Sequence, residues 1–322
     1  LSLDSDSLEV EMINKKIVFV SYTDLISGVG HRTRILSMLK YLRSIAGNDN
    51  VDWLNIVPGD DSVKNLCEAL DEQYKHMPGV NRFIPFRKFF KGRLSWIIHD
   101  SILPIYVFCK LIKLYGLETR PILWVAMVRT YWSIVLYKNC FGTPTILDMN
   151  STIDENIQFV NRRDWITNIK FSWYLFKELS ALTYTNALIT VSERMKDYYF
   201  SKYNFLPPNT ITIPNSLSNK VEKWSAEKRF ASRTKLGVEN DFLFIYAGGA
   251  QKWQCVDEML EFFIGLLDYQ GFCKLRPRFL LLTWEGKYSD IARESKIKLP
   301  MKLINEYSVE QVEVQKYMMA AD

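Results

Sequence analysis

Short apolar runs rich in β-branched and aromatic residues alternate with longer stretches of helical periodicity along most of this chain. Such runs are nearly continuous rather than alternating in polarity, as expected where helices cover both faces of a parallel sheet. They are KIVFVSY (16–22), VDWLNIV (51–57), PILWVAM (121–127), PTILDM (144–149), ALITV (187–191) and TITIP (210–214). The pattern therefore predicts βαβ units and a doubly wound α/β fold.

The chain is predicted to contain two α/β domains, because 322 residues exceed the size of one ordinary core. Residues 1–15 begin with an acidic LSLDSDSLEVEM, unlike a signal peptide, and are predicted to be a disordered leader. The first domain is predicted over 16–214. A polar stretch at 215–237 is predicted as a linker, and the strand pattern resumes over 238–322 with FLFIYAGG, RFLLLT and MKLI.

Composition excludes several function classes. Apolar residues make up 48% of the chain and charged residues 24%, which is typical of a folded protein. The net charge of +5 is too small to indicate nucleic-acid binding. Five scattered cysteines, none in a C-x-x-C pair, favour a reducing cytoplasm over a disulfide framework or zinc site. Charged residues interrupt every long apolar stretch, so no transmembrane helix is predicted.

The glycines of SGVGHRT follow the first predicted strand and precede a helix. Gly28 and Gly30 would let the backbone approach a ligand, and the helix N-terminus would favour a phosphate or a polar sugar. His31 and Arg32 lie on the first helical turn, where a cation can reach a phosphate, although His31 could equally serve packing. A dinucleotide site is disfavoured because Thr33 replaces the third glycine. The alternative is a plain strand-to-helix turn.

Four later stretches resemble successive motifs of family 4 glycosyltransferases. They are NALITVSERMKDYYFSKYN (186–204), ITIPNSLS (211–218), FLFIYAGGAQKWQCVDEMLEFFIGLLD (242–268) and SVEQVEVQKYMMAAD (308–322). The resemblance implies a retaining enzyme of bacterial polysaccharide or glycolipid type, with two Rossmann-like lobes (GT-B). It further implies an acceptor-side first lobe, a nucleotide-sugar donor held by the second lobe, and no metal or other cofactor. The second lobe looks incomplete, since the family's glutamate pair would lie beyond Asp322.

The resemblance also implies which residues hold the donor. Besides Gly28 and Gly30 it implicates Asn215, Gly248, Gly249, Lys252 and Glu285. A turn asparagine is the alternative for Asn215, and a structural role is the alternative for Glu285. Many relatives carry Gly-Arg and Lys-Gly as a cationic clamp for the diphosphate, whereas the matching positions here are Gly248, Gly249, Gln254 and Cys255. Lys252 lies near enough in sequence to replace the missing lysine, with the two glycine N–H groups as uncharged donors. A solvated loop lysine is the alternative.

Asp148 and Asn150 are the predicted catalytic residues. Both follow the apolar run of ILDMNST, and ligands of open α/β sheets bind at the carboxyl ends of strands. Many relatives have Asp-x-His-Gly here, so the usual histidine is absent. Asn150 can bond a hydroxyl but cannot exchange a proton at neutral pH. A capping role is the alternative for Asp148, and capping alone explains Ser192 of ITVSERM.

Cations and aromatic residues are interleaved between Arg82 and Tyr115. The pairing suits an interfacial segment that meets anionic lipid, or a polyprenyl-linked acceptor, at the headgroup level. The residues predicted for this acceptor or membrane surface are His31, Arg32, Arg87, Lys88, Lys91, Arg93 and Trp96. The alternative is a basic amphipathic helix that packs its apolar side on the first domain.

Together these features predict a cytoplasmic transferase with a peripheral position on the inner face of the membrane. It would move a sugar from a nucleoside-diphosphate donor to a hydroxyl of a glycan or glycolipid in cell-surface polysaccharide synthesis. The alternative is a non-catalytic GT-B-like binding module that acts as partner of a transferase, since the histidine and both usual cations are missing.

Overall fold

Two compact units, Leu1–Ser216 and Leu217–Asp322, make up the chain. The computed structural model describes residues 15–23, 29–87, 92, 95–117, 119–154, 164–215, 223–248, 254–282, 304–307 and 311–322. Each unit contains its own parallel sheet with helices packed against it. The α/β class predicted from the apolar runs is therefore confirmed.

The first unit is built on a seven-stranded sheet whose paired strands are all parallel, in the order β3-β2-β1-β4-β5-β6-β7. Strand β1 lies inside the sheet between β2 and β4, and Ile17 is in register with both Val51 of β2 and Ile122 of β4. The strands are β1 (Ile17–Tyr22), β2 (Val51–Gly59), β3 (Asn81–Arg87), β4 (Ile122–Ala126), β5 (Thr145–Met149), β6 (Ala187–Thr190) and β7 (Asn209–Thr212).

Helices cover both faces of this sheet. They are α1 (Val29–Ala46), α2 (Val63–Tyr74), α3 (Ser95–Tyr115), α4 (Met127–Phe141), α5 (Trp165–Tyr184) and α6 (Glu193–Tyr203). Helices α1 and α2 bury Leu39 and Leu70 in one apolar core with Trp53. The other four helices build a second core around Val18 and Leu54. The winding on both faces is the one that the sequence predicts.

Local sequence signals set several helix ends. The Ser192 hydroxyl accepts a hydrogen bond from the backbone N–H of Met195 and caps α6, which confirms that prediction. Asp164 caps α5 in the same way through Thr167. Helix α4 ends at Gly142, whose φ of 60° lies in the left-handed region that glycine adopts without strain.

The segment between Arg82 and Tyr115 is not a single interfacial element. Strand β3 occupies its first part, and the buried side chains of Phe83, Ile84 and Phe86 face the cores. Pro85 has no backbone N–H to donate. It is tolerated because β3 is an edge strand, which pairs with another strand on one side only. Within the described residues, no helix is both long enough and apolar enough to cross a lipid bilayer.

The second unit has a three-stranded parallel sheet in the order β10-β9-β8. Its elements are α7 (Ala226–Leu236), β8 (Phe242–Ala247), α8 (Val256–Leu267), α9 (Gln270–Cys273), β9 (Pro277–Leu282), β10 (Ile304–Tyr307) and α10 (Gln311–Met318). Helix α8 packs Leu260 and Phe263 against Phe279 on one side. Leu243 and Ala320 share a second cluster on the other side.

The stretch 215–237, predicted as a linker, contains helix α7. Arg233 of α7 is buried, and it donates to the carbonyl oxygens of Val238 and Ala320 and to the Asp322 carboxylate. The Asp322 carboxylate also accepts from the backbone N–H of Leu243 at 2.8 Å. These bonds make α7 part of the second unit, because they satisfy the backbone of its sheet and of the segment after α10.

Candidate functional site

A buried ion pair joins α1 to the carboxyl end of β5. The Arg34 guanidinium donates to Asp148 Oδ1 through Nε at 3.1 Å and through Nη2 at 2.6 Å. Both side chains are almost fully enclosed, with 7% and 3% of their surfaces exposed. The contact therefore fixes Arg34 at the edge of the sheet where ligands of open α/β folds bind.

The same guanidinium reaches the segment that follows β7. Its Nη1 donates to the carbonyl oxygen of Ile213 at 3.2 Å and to Asn215 Oδ1 at 3.0 Å. Asn215 is exposed, and its oxygen is occupied by Arg34, so its two Nδ2 hydrogens remain as donors for a ligand oxygen. Arg34 thus connects a buried carboxylate to an oriented amide at the surface.

The electrostatics of Asp148 are governed by its burial. Burial raises the pKa of the Asp148 carboxyl, while the hydrogen bonds and charge of Arg34 and the indole N–H of Trp124 act in the opposite direction. Because Oδ1 already accepts two bonds from Arg34, the carboxylate holds the guanidinium in place. This geometry gives Asp148 a positioning role, and direct contact with a reacting group stays a prediction.

Three other predicted residues of the first unit follow strands β1 and β5 in the chain. Asn150 lies one residue beyond the end of β5 and is partly exposed. Gly30 is the second residue of α1, as the predicted helix start requires, and Arg32 is partly exposed in the same turn. Gly28 and the side chain of His31 lie outside the described residues.

The loop of the second unit that was predicted to hold phosphate is described only in part. The Gly248 N–H donates to the carbonyl oxygen of Leu282 at 3.1 Å. This differs from the prediction that it serves as a free donor, because the sheet ladder between β8 and β9 continues through this residue. The first turn of α8 carries Asp257 and Glu258, whose charges oppose an anion at that terminus. Gly249, Lys252 and Glu285 lie outside the described residues.

The predicted membrane residues do not form one exposed set. Arg87 ends β3 and forms an ion pair with Asp61. Trp96 is half-buried, with its ring 6.4 Å from that of Tyr174, and therefore does not serve as an exposed anchor. Helical periodicity explains this, since Trp96 shares the inner side of α3 with buried Asp100 and Leu103. Lys88, Lys91 and Arg93 lie outside the described residues.

Arg34 is the site residue that the sequence analysis missed. It continues the buried stripe of α1 at the spacing of Met38 and Leu42, so a charge occupies an apolar position of the helix. Asp148 is likewise a charge in an otherwise apolar strand. A buried charge requires a partner of opposite sign. Two opposite charges at apolar positions therefore indicate that Arg34 and Asp148 form a pair. Among the described residues, no group of three or more His, Cys, Asp or Glu side chains could hold a metal ion.

Comparison with known proteins gives structural matches alone. No family model matches the chain, and no curated protein sequence matches it. HepE from Anabaena, crystallised with UDP-glucose, gives a TM-score of 0.61 at 13% identity, covering 96% of this chain and 72% of HepE. Sucrose-phosphate synthase from Thermosynechococcus elongatus gives 0.64 at 14% identity, covering 95% and 74%. An apo structure of OtsA gives 0.61 at 11% identity, covering 95% and 77%. At such identities the likeness shows the fold.

Proposed function

We propose that this chain is a GT-B glycosyltransferase related to family 4. It moves a sugar from a nucleoside-diphosphate donor to a hydroxyl of a glycan or glycolipid, with retention at the anomeric carbon and without a metal. The supporting observation is a likeness that extends over 96% of the chain to a protein crystallised with UDP-glucose. The proposed setting is cell-surface polysaccharide synthesis at the cytoplasmic face of a membrane.

In the proposed reaction the bond between the anomeric carbon and the diphosphate oxygen breaks. A bond to the acceptor oxygen forms on the same face of the sugar, and a phosphate oxygen of the donor takes the acceptor proton. The protein then has to bind and orient its two substrates and stabilise the leaving diphosphate. No protein side chain needs to exchange a proton, which suits Asn150 at the place where many relatives have histidine.

The described residues at the edge of the first sheet support two separate roles, ligand binding by amides and positioning by a buried ion pair. The Asn215 amide, held through its oxygen by Arg34, is available to donate to a sugar hydroxyl or phosphate oxygen. Asn150, which follows β5, carries a second amide side chain. Asp148 contributes by holding Arg34, because loss of that carboxylate would free the guanidinium and with it Asn215.

A non-catalytic binding module is the second candidate. The observations that favour it come from the second unit. The Gly248 N–H is already bonded to Leu282, and Asp257 and Glu258 add negative charge to the first turn of α8. The cationic clamp that many relatives carry is also missing from the sequence. In this reading the chain binds a glycan or nucleotide and releases no product.

The deciding experiment measures both binding and turnover. Isothermal titration with UDP and with GDP reports the donor nucleotide, and release of free nucleoside diphosphate from a panel of nucleotide sugars, with and without glycan acceptors, reports transfer. Lys252→Ala is the test variant, since Lys252 is the predicted replacement for the missing clamp. Lys274→Ala is the matched control, because Lys274 is an exposed lysine that directly follows α9 in the sequence.

Each outcome has a distinct meaning. Nucleotide binding with acceptor-dependent release supports the transferase, and Lys252→Ala should then weaken nucleotide binding about tenfold or more, the value of one charge-assisted contact. Unchanged turnover in Lys252→Ala would remove this lysine from the site. Binding of nucleotide or glycan without release favours the binding module. Binding of neither contradicts both candidates.

A further inference from the structure

Helices α3 and α5 each carry a stripe of large apolar side chains on the side that faces solvent. Trp165 is 68% exposed, Phe176 52% and Ile105 57%. Apart from the adjacent Ile97 and Ile98, the exposed residues within each helix are three, four or seven positions apart, so they lie on one side of the helix. We call the eight residues the apolar face: Ile97, Ile98, Ile102 and Ile105 of α3, and Trp165, Ile169, Phe176 and Leu179 of α5.

The two stripes are held next to each other by a buried polar contact. Asp100 of α3 forms an ion pair with Lys177 of α5, and its Oδ2 also accepts from the indole N–H of Trp173 at 3.2 Å. The rings of Trp96 and Tyr174 add a second contact between the same helices, at 6.4 Å. The inner sides of α3 and α5 therefore touch, and their outer sides are neighbours on one surface of the first unit.

Few acidic residues accompany this surface, and Asp164, which precedes Trp165, accepts a hydrogen bond from the backbone N–H of Thr167. Asp100 and Glu178 are the only acidic residues of α3, α4 and α5, and both are buried. Glu178 accepts bonds from Lys202 and Tyr203, so its charge is compensated inside the protein.

Lysines lie beside both stripes. Lys110 and Lys113 follow the stripe of α3, and Lys170 is next to Ile169 on α5. Among the described residues, none of these three lysines forms an ion pair with a carboxylate, and Lys110 and Lys170 lie over the rings of Tyr106 and Tyr174 at 5.4 and 5.7 Å. The surface thus combines exposed aliphatic and aromatic groups with uncompensated positive charge.

We infer that the apolar face is a docking surface for a membrane that contains anionic lipid. Apolar side chains inserted at the headgroup boundary supply binding, Trp165 suits the interface, and the neighbouring lysines attract anionic headgroups. A patch of this kind is unusual on a soluble surface unless something covers it. The lysines that flank the apolar stripes are complementary in charge to anionic headgroups, as in a helix that lies on a membrane surface.

This inference differs from the interfacial segment predicted from the sequence. The face excludes Trp96, and it includes α5, which the sequence analysis did not single out. It does not depend on the proposed transfer reaction, because docking requires no donor. Vesicle binding and nucleotide binding can therefore fail separately.

The test is co-sedimentation of the whole chain with vesicles of phosphatidylcholine alone and of phosphatidylcholine mixed with phosphatidylglycerol. We expect binding to the mixed vesicles at low salt, and weaker binding at high salt because screening reduces attraction between the lysines and the lipid. Ile105→Glu and Phe176→Glu should each reduce binding about tenfold, since each removes one inserted apolar group and adds repulsion. Ile45→Glu is the matched control, because Ile45 is 55% exposed on α1, across the sheet.

Circular dichroism first establishes that all three variants are folded. Loss of binding in both face variants with binding kept in Ile45→Glu supports the inference. Absence of wild-type binding to either vesicle would overturn it, and so would equal losses in all three variants. If size-exclusion chromatography instead shows a dimer that Phe176→Glu dissociates, while vesicles do not bind, the face is an interface between two copies and the lipid assignment is wrong.

Discussion

Replacing Arg34 by leucine should destabilise the first unit strongly. The substitution leaves the buried Asp148 carboxylate without its cationic partner and removes donors from the Ile213 carbonyl and the Asn215 amide. Removing one member of a buried pair typically costs about 3–5 kcal/mol. The full range applies here because both side chains are almost completely enclosed. We therefore expect Arg34→Leu to lower the free energy of unfolding by about 3–5 kcal/mol at neutral pH.

The loss should depend on pH with a defined sign. Burial already raises the pKa of Asp148 above its usual value, and removal of Arg34 takes away the main opposing influence. The folded variant then holds the proton more tightly than its unfolded chain does, so its stability falls as pH rises through the folded pKa. The difference between variant and wild type should accordingly shrink when the pH is lowered, as the carboxyl becomes neutral.

Urea unfolding followed by circular dichroism measures both effects. Asp148→Asn combined with Arg34→Leu should recover part of the loss, because no unpaired charge stays buried. Arg87→Ala is the control: its ion pair with Asp61 is exposed, and such pairs contribute less than about 1 kcal/mol. A cost below about 1 kcal/mol for Arg34→Leu would refute the assignment of this pair as a buried anchor.

Two further predictions concern other buried groups of the first unit. Asp100→Asn should cost about 3–5 kcal/mol at neutral pH because it strands Lys177, which is 1% exposed. Burial lowers the pKa of Lys177 to about 8 even with Asp100 present, and loss of Asp100 lowers this pKa further. The loss of stability should therefore diminish as pH rises towards about 8, where the wild type also releases this proton, and a pH-independent loss in urea unfolding would contradict this prediction. Burial raises the pKa of the Cys67 thiol to about 11, whereas Cys109 and Cys140 are exposed. Iodoacetamide at pH 8 should therefore modify Cys109 and Cys140 before Cys67. Equal labelling of all three cysteines in mass spectrometry would contradict the burial of Cys67 in the core.

The strands buried on both faces could be predicted from the sequence, because continuous apolar runs have few other uses in a chain of this length. Strand β3 was missed since its RFIPFR combines Arg82, Pro85 and Arg87 with apolar residues, and an edge position tolerates all three. The residues of α7 are mostly polar, which is why the sequence predicts a linker there. Its place depends on Arg233, whose partners follow much later in the chain.

The candidate site could be predicted in position and only partly in chemistry. Asp148 lies near the carboxyl end of β5, where the sequence predicts a strand to end, and its role there stays a prediction. The partner of Asp148 could not be read from spacing, because Arg34 approaches it through the fold from a distant helix. The orientation of Trp96 was predictable from helical periodicity, which places it with the buried residues of α3.

The position of β1 between β2 and β4 affects how the first unit folds. One edge of β1 pairs with β2, which follows soon in the chain, but its other edge must wait for Ile122 and its neighbours. During synthesis that wait lasts roughly 5–20 s, and an apolar strand edge stays open throughout. Folding is therefore limited by closure of a long loop and is slow for topological reasons. A chaperone that shields β1 should raise the yield of native protein more than stabilising the finished sheet would.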